Sequence, residues 1–145
     1  MSDLLCFEAF KHFYGIPLDI VKETFDEQKV TPVPCLHHVF AGLCNHKGIV
    51  YPVLSFSQLC NEEVPHRRTC MLLLQIDKYQ VILRMNNIPF FIHADKLTKD
   101  IAYEGGNDLL VIDRFCEQDD IQIYVINMKR IMDNLATKML EIPSV

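Results

Sequence analysis

Short apolar runs, separated by turn-forming residues, follow one another along most of the chain. This pattern is typical of β-strands joined by tight turns. Three pairs of runs predict β-hairpins, namely Leu4–Phe10 with Phe13–Ile16, Thr69–Ile76 with Gln80–Met85, and Leu109–Phe115 with Ile121–Ile126. Thr69–Ile76 is almost continuously apolar, which predicts a strand buried on both of its faces.

A fourth hairpin is predicted within residues 30–59. Prolines stiffen Thr31–Cys35 into an extended connector, and Gly42 allows the backbone to turn. Asn45–Gly48 has the composition of a hairpin loop, because Asn and Gly tolerate the positive φ angles of such turns. Ile49–Leu54 is predicted to be the returning strand, and its Pro52 belongs at an edge, a strand end or a bulge.

The C-terminal segment changes from the strand period to the helical period. Its apolar positions follow helical spacing, at Met128, Ile131, Met132, Leu135, Met139 and Ile142. Asn127 is a candidate N-cap and Pro143 ends the pattern, so a helix is predicted at about residues 127–142. The spacing of apolar residues in Leu18–Phe25 is equally compatible with a helical turn and with a bent strand. Tyr103–Asp108 is predicted to be a loop.

The element order predicts an all-β fold with a C-terminal helix, either a barrel or a sandwich. Each half of the chain contains a strand, a tight turn and a proline-interrupted strand, which suggests two related small barrels. A length of 145 residues fits one domain.

Composition and charge exclude several classes of function. The formal net charge of −5 argues against a nucleic-acid partner, because phosphate binding requires a local excess of Lys and Arg. No apolar run approaches the ~20 residues that span a bilayer, and the first residues lack a basic secretory leader. These features predict a soluble cytoplasmic protein without direct membrane insertion, whose six cysteines stay reduced.

Five cysteines and histidines near the fourth hairpin raise a metal hypothesis: Cys35, His37, His38, Cys44 and His46. Structural zinc sites usually bring in ligand pairs separated by two to five residues, whereas here single residues separate Cys from His. If the chain is extended, the side chains of His37 and His38 point to opposite faces. Surface histidines and packed thiols are therefore the favoured interpretation, and no metal or cofactor is predicted.

A thiol enzyme is a further hypothesis. It would use Cys44 as the nucleophile, His46 as the base and Asp26 or Glu23 to orient the base. Nothing in the sequence determines the required geometry, so the chain is predicted not to be an enzyme.

Four segments, taken in order, resemble the CheW-like chemotaxis adaptors: Phe13–Ile16, Val21–Glu23, Val30–Pro34 and Gly42–Leu54. That family carries a Tyr-Gly/Ala-Ile/Leu strand, a Val-x-Glu step, a Thr-Pro-x-Pro connector and a Gly-Val-x-Asn-Leu-Arg-Gly-x-Val-x-Pro-Val-x-Asp-Leu signature. The resemblance continues more weakly to the closing run Ile123–Ile131, so it covers nearly the whole chain.

The resemblance implies two five-stranded SH3-like β-barrel subdomains that share a core, within a single domain at residues 1–145. It also implies a non-enzymatic signal-transduction adaptor. Such adaptors bridge the cytoplasmic tip of a chemoreceptor to the regulatory domain of a CheA-type histidine kinase, which has the same fold.

Five partner-binding residues follow from the resemblance. Val21 and Glu23 match the Val-x-Glu step on the receptor-facing side, while Asn45, Lys47 and Gly48 match the Asn-Leu-Arg-Gly turn.

The chain also departs from the family pattern. Lys47 replaces an arginine, which exchanges a planar bidentate donor for a point charge. His46 replaces a leucine, Ser55 replaces an aspartate, and Met85–Phe90 lacks the usual acidic positions. These departures indicate a divergent adaptor; the alternative is a metal- or redox-responsive module on the same fold.

Overall fold

The computed structural model of the chain describes residues 3–34, 36–63 and 69–140, with side chains to residue 137. Within these residues the strands are β1 Leu4–Ala9, β2 His12–Pro17, β3 Val21–Asp26, β4 Phe40–His46, β5 Ile49–Ser55, β6 Cys70–Ile76, β7 Tyr79–Met85, β8 Phe90–Ile92, β9 Lys99–Gly106, β10 Val111–Gln118 and β11 Ile121–Ile126. The helices are α1 Phe56–Leu59 and α2 Met128–Leu140, and 3₁₀ turns lie at Leu18–Ile20 and Ala94–Lys96.

These strands form two sheets. One has six strands in the order β8-β1-β2-β11-β10-β9, and the other has five in the order β3-β6-β7-β5-β4. Pairing is antiparallel except between β2 and β11 and between β5 and β7. The predicted hairpins are all present, as β1–β2, β4–β5, β6–β7 and β10–β11.

The mostly β fold with a C-terminal helix is confirmed, but the detail of two five-stranded barrels is not. Only one sheet has five strands, because the three-residue strand β8 adds a sixth strand to the other. Strand pairing closes neither sheet in the described part of the chain. β8 is only three residues long, so it offers little edge with which β9 could pair.

Both sheets contribute to one shared hydrophobic cluster. Phe7 and Ile16 of the six-stranded sheet, Leu72 and Leu83 of the five-stranded sheet and Ile131 of α2 all belong to it, each with no exposed surface. Burying each such side chain stabilises the folded state by about 1.5–3 kcal/mol. This cluster therefore joins the two sheets and the helix.

The opposite face of each sheet packs around a smaller cluster of its own. In the six-stranded sheet this cluster includes Cys6 and Ile123, and in the five-stranded sheet it includes Cys44 and Met71. Met71 and Leu72 are neighbours on β6 and fill different clusters, since successive strand residues point to opposite faces. The prediction that this strand is buried on both faces is confirmed.

Helix α2 confirms the predicted C-terminal helix. The side-chain Oδ1 of Asn127 accepts a hydrogen bond of 3.0 Å from the backbone N–H of Arg130, as an N-cap requires. The apolar side of α2, at Met128, Ile131, Met132 and Leu135, is buried. The Met139 side chain, Ile142 and Pro143 lie outside the part that the structure describes. None of the described helices is long and apolar enough to cross a membrane.

Gly42 lies inside β4, so the predicted turn at this residue is wrong. The register of β4 against β5 shifts between Phe40 and Gly42, and Gly42 adopts φ +145°. Immediately beside it, Leu43 exchanges backbone hydrogen bonds of 2.8 and 2.9 Å with Thr31. Gly42 is needed because a Cβ atom would lie 2.1 Å from the Thr31 carbonyl oxygen.

The loop predicted at Tyr103–Asp108 is also partly wrong, because β9 continues to Gly106. The two glycines are accommodated at a sheet edge, where the register with β10 shifts near them. Leu18–Phe25 contains both predicted alternatives, a 3₁₀ turn followed by β3.

We expect Gly42→Ala to lower the free energy of unfolding by more than about 3 kcal/mol, because the new Cβ meets backbone atoms of Thr31 and Pro32. Gly48→Ala is the matched control: its φ is also positive, at +89°, but its Cβ would meet no atom within 4 Å. It should cost only roughly 1–2 kcal/mol. Urea denaturation measures both values, and equal losses would contradict the close approach at Gly42.

Candidate functional site

Side chains of β3 and of the β4–β5 hairpin meet at one end of the five-stranded sheet. We call Glu23, Phe25, Gln28, His46 and Lys47 the edge-strand cluster. β3 and β4 are the two edges of this sheet, so the cluster connects strands that do not pair along their length. It brings together residues 23 and 47, both predicted from sequence to bind a partner.

His46 lies at the centre of the edge-strand cluster and is only 5% exposed. Its Nε2 lies 3.0 Å from Glu23 Oε2, and its Nδ1 lies 3.1 Å from Gln28 Oε1. Its ring stacks on Phe25 with centroids 4.1 Å apart and an interplanar angle of 13°. Because an ionised carboxylate only accepts hydrogen bonds, Nε2 carries a hydrogen and its N–H donates a hydrogen bond to Glu23.

Lys47 completes the cluster from the solvent side. Its Nζ lies 3.0 Å from Glu23 Oε1, so the two carboxylate oxygens of Glu23 have separate partners. The hydrogen bond from His46, followed by that from Lys47, lowers the pKa of the Glu23 carboxyl below its ordinary value of 4.5. The Lys47 side chain is 72% exposed, which leaves its charge accessible to a partner.

The β4–β5 turn has the predicted loop chemistry, with one difference. Lys47 and Gly48 hold the positive φ angles, +53° and +89°, while Asn45 contributes its side chain. Asn45 Oδ1 accepts a 3.0 Å hydrogen bond from the Gly48 N–H, which fixes the turn that presents Lys47. Ile49 and Val50 follow directly and are 54% and 57% exposed.

Val21 does not join the other predicted residues. The register of β3 against β6 shifts after Val21, so Val21 lies opposite Leu74 and Glu23 lies opposite Leu73. Leu74 belongs to the shared cluster, and Val21 packs against that cluster. A β-bulge therefore separates the two residues of the Val-x-Glu step onto different faces.

Sequence reasoning missed several members of this site. Phe25 and Gln28 carry no motif, and their approach to His46 depends on the curvature of the whole sheet. Ile49 and Val50 could have been found from the sequence. They are consecutive apolar residues at the start of a strand, where successive side chains point to opposite faces and one of the two normally meets solvent.

The described histidines and cysteines do not assemble into a metal site. In the described ranges no three His, Cys, Asp or Glu side chains lie close enough to hold an ion. His37 and His38 stack on each other with centroids 4.4 Å apart. They lie in a segment of bend and turn before β4, so the extended chain on which the prediction of opposite orientations depends is not present here. Cys35 lies outside the described residues.

Only one part of the thiol-enzyme hypothesis is present among the described residues, the contact between His46 and Glu23. Both ring nitrogens of His46 are engaged by Glu23 and Gln28, and the Cys44 thiol lies 3.7 Å from Gln28 Oε1. Burial raises the pKa of Cys44, which disfavours the nucleophilic thiolate. The described cysteines, at positions 6, 44, 60, 70 and 116, carry no disulfide.

A family model and a solved structure both match this chain. The family model of the CheW-like domain matches residues 3–133. Among solved structures, the scaffolding protein TtCheW from Thermoanaerobacter tengcongensis superposes with a TM-score of 0.68 at 16% identity, over 87% of this chain and 88% of that chain. At this identity the superposition establishes the fold alone. No curated protein matches the sequence.

We expect Lys47→Ala and His46→Gln each to raise the pKa of Glu23 toward 4.5, with the larger rise for His46→Gln because His46 is the larger cause of the lowering. Carboxyl-detected NMR titration measures this pKa. The Glu23 interactions should stabilise the native state above about pH 4.5 and be lost as pH falls through the lowered pKa. Lys22→Ala, at the neighbouring exposed position, is the control; an unchanged Glu23 pKa in both test variants would refute the pairing.

Proposed function

Because the chain belongs to the CheW-like domain family, we propose that it couples chemoreceptor signalling tips to a CheA-type histidine kinase. The observation that carries this proposal is the family match over residues 3–133. Membership of this family identifies a chemotaxis scaffold rather than an enzyme, in agreement with the sequence prediction.

The proposed partners are the cytoplasmic tip of a chemoreceptor and the regulatory domain of the kinase. Both are proteins, and the proposal includes a cytoplasmic location, where receptor tips and kinase meet. The net charge of −5 fits a protein partner better than a nucleic acid.

We assign one contact surface to the β4–β5 turn and its surroundings. Lys47 offers an exposed charge, and Ile49 and Val50 offer apolar area beside it. Interfaces commonly combine an apolar centre with charges at the rim, which set orientation and association rate. Asn45 and Gly48 have an indirect part here, since they shape the turn.

Glu23 and Val21 support this surface in different ways. Glu23 is 32% exposed and holds Lys47 in place, so its removal would free the lysine side chain. Val21 remains in the proposal as a contact on the other face of β3, next to the shared cluster. The receptor-facing side would then include both faces of the edge strand β3.

We expect Lys47→Ala and Ile49→Ser to weaken capture of the receptor tip or the kinase regulatory domain by at least about tenfold, which corresponds to about 1.4 kcal/mol. Lys96→Ala, which removes an exposed lysine from the 3₁₀ turn after β8, should leave capture unchanged. A ternary pull-down followed by calorimetric titration measures these affinities. Failure of the unmodified chain to bind either partner would rule out the coupling role.

Lys47→Arg tests whether the partner surface accepts the arginine that is usual in the family or is adapted to lysine. If the partner surface presents a carboxylate, the planar guanidinium should bind at least as well as the ammonium, because it can form two parallel hydrogen bonds. A tenfold loss on this substitution would indicate a partner surface adapted to lysine.

A further inference from the structure

A cavity of about 700 Å³ opens at the other end of the five-stranded sheet from the edge-strand cluster. Ala41, near the start of β4, lines it, whereas His46 ends the same strand. The ends of β5 and β7, helix α1 and the end of β1 with the β1–β2 turn form most of its other walls. Connecting segments contribute further lining residues, including Glu27, His38, Glu63 and Thr69. Its volume lies within the range of small-molecule sites.

Arg84 lines this cavity and has no carboxylate partner among the described residues. It is half-buried at the end of β7, and within the described ranges no acidic side chain forms an ion pair with it. Its cross-strand neighbour on β5 is Ser55, which is neutral. Partial burial of an unpaired guanidinium costs free energy that an anion would recover.

Two buried hydroxyl groups also line the cavity. Ser55 is 7% exposed and its hydroxyl lies 2.9 Å from that of Ser57, so one of these hydroxyls has capacity for a further hydrogen bond. Thr69 Oγ1 is buried and has no hydrogen-bond partner among the described residues. An unpartnered buried hydroxyl is unusual in a native protein, and a bound polar group would satisfy it.

Positive and negative charges lie at different depths in the cavity. Arg84, Ser55 and Thr69 are wholly or partly buried, whereas the carboxylates at the rim, on Glu8, Glu27 and Glu63, are exposed. Among the described residues, these three carboxylates would repel a ligand with only negative charge before it reached Arg84. A ligand that also carries a positive charge satisfies both regions.

We propose that this cavity binds a small zwitterion with an apolar body, of the amino-acid type. Its carboxylate pairs with Arg84 and accepts hydrogen bonds from the serine and threonine hydroxyls. Its ammonium group lies among the rim carboxylates, and its side chain packs on Phe10, Phe56 and Met85. This binding is additional to the adaptor role and requires neither protein partner.

The test uses three matched probes on the isolated full chain in calorimetric titrations. L-phenylalanine has both charges, 3-phenylpropanoate lacks the ammonium and L-phenylalaninamide lacks the carboxylate. We expect L-phenylalanine to bind at least about tenfold more tightly than either analogue. Equal affinity for L-phenylalanine and 3-phenylpropanoate would overturn the proposal. So would the absence of binding by every probe at a concentration of about 10 mM, which corresponds to the weakest dissociation constant of interest.

Two variants test the assignment of Arg84. Arg84→Gln removes the guanidinium, and Ser55→Asp places a carboxylate opposite it on the neighbouring strand. Both should weaken binding of L-phenylalanine at least about tenfold. Ser55→Asp should do so without lowering the thermal midpoint, because it pairs the arginine, and this separates loss of binding from loss of fold.

Arg130→Gln, on the exposed side of α2, is the control and should bind L-phenylalanine like the unmodified chain. Undiminished binding by Ser55→Asp and Arg84→Gln would overturn the assignment. Because these titrations contain neither receptor nor kinase, their outcome is independent of the coupling experiment.

Discussion

The contact between the two edge strands of the five-stranded sheet is the constraint on which the candidate site depends. Backbone pairing leaves β3 and β4 at opposite edges, yet His46 of β4 contacts Glu23 and Phe25 of β3. The connector that follows β3 also meets β4, since Gln28 contacts His46 and Thr31 pairs with Leu43. An unpaired sheet edge is a liability in solution, and side-chain contacts of this kind cover it. They also place a charged pair, Glu23 with Lys47, where the hairpin turn meets solvent.

This contact relies on packing elsewhere in the molecule. The sheet can curve until its edges meet only because its concave face is filled by Met71, Ile82 and their neighbours, while the opposite face packs on the shared cluster. The bulge at Gly42 provides the close backbone approach beside Thr31. The orientation of the β4–β5 turn therefore depends on core packing, on Gly42 and on the polar contacts of the edge-strand cluster.

Local patterns predicted the hairpins and α2 because alternation, turn residues and an N-cap act over a few positions, as at Asn127. Closure and register were not predictable in this way. The bulge after Val21 moves that residue onto the shared cluster, although Val-x-Glu spacing in a regular strand puts both residues on one face. The pairing of His46 with Glu23 is one that the sequence offers, within the thiol-enzyme hypothesis. Its contacts with Phe25 and Gln28 come from a strand and a loop distant in sequence, and no local pattern predicts them. The turn residues Asn45 and Gly48 were recognisable because their roles are local.

Amide hydrogen exchange of the Thr31–Leu43 bridge in His46→Ala tests most directly whether the edge-strand cluster holds the two edges together. We expect exchange at least about tenfold faster at Thr31 and Leu43, whose amides donate across the bridge, as that region opens locally. Amides at the centre of β6 and β7, such as Leu72 and Leu83, should keep their protection. Unchanged exchange at the bridge, or equal loss of protection throughout both sheets, would contradict this role of the cluster.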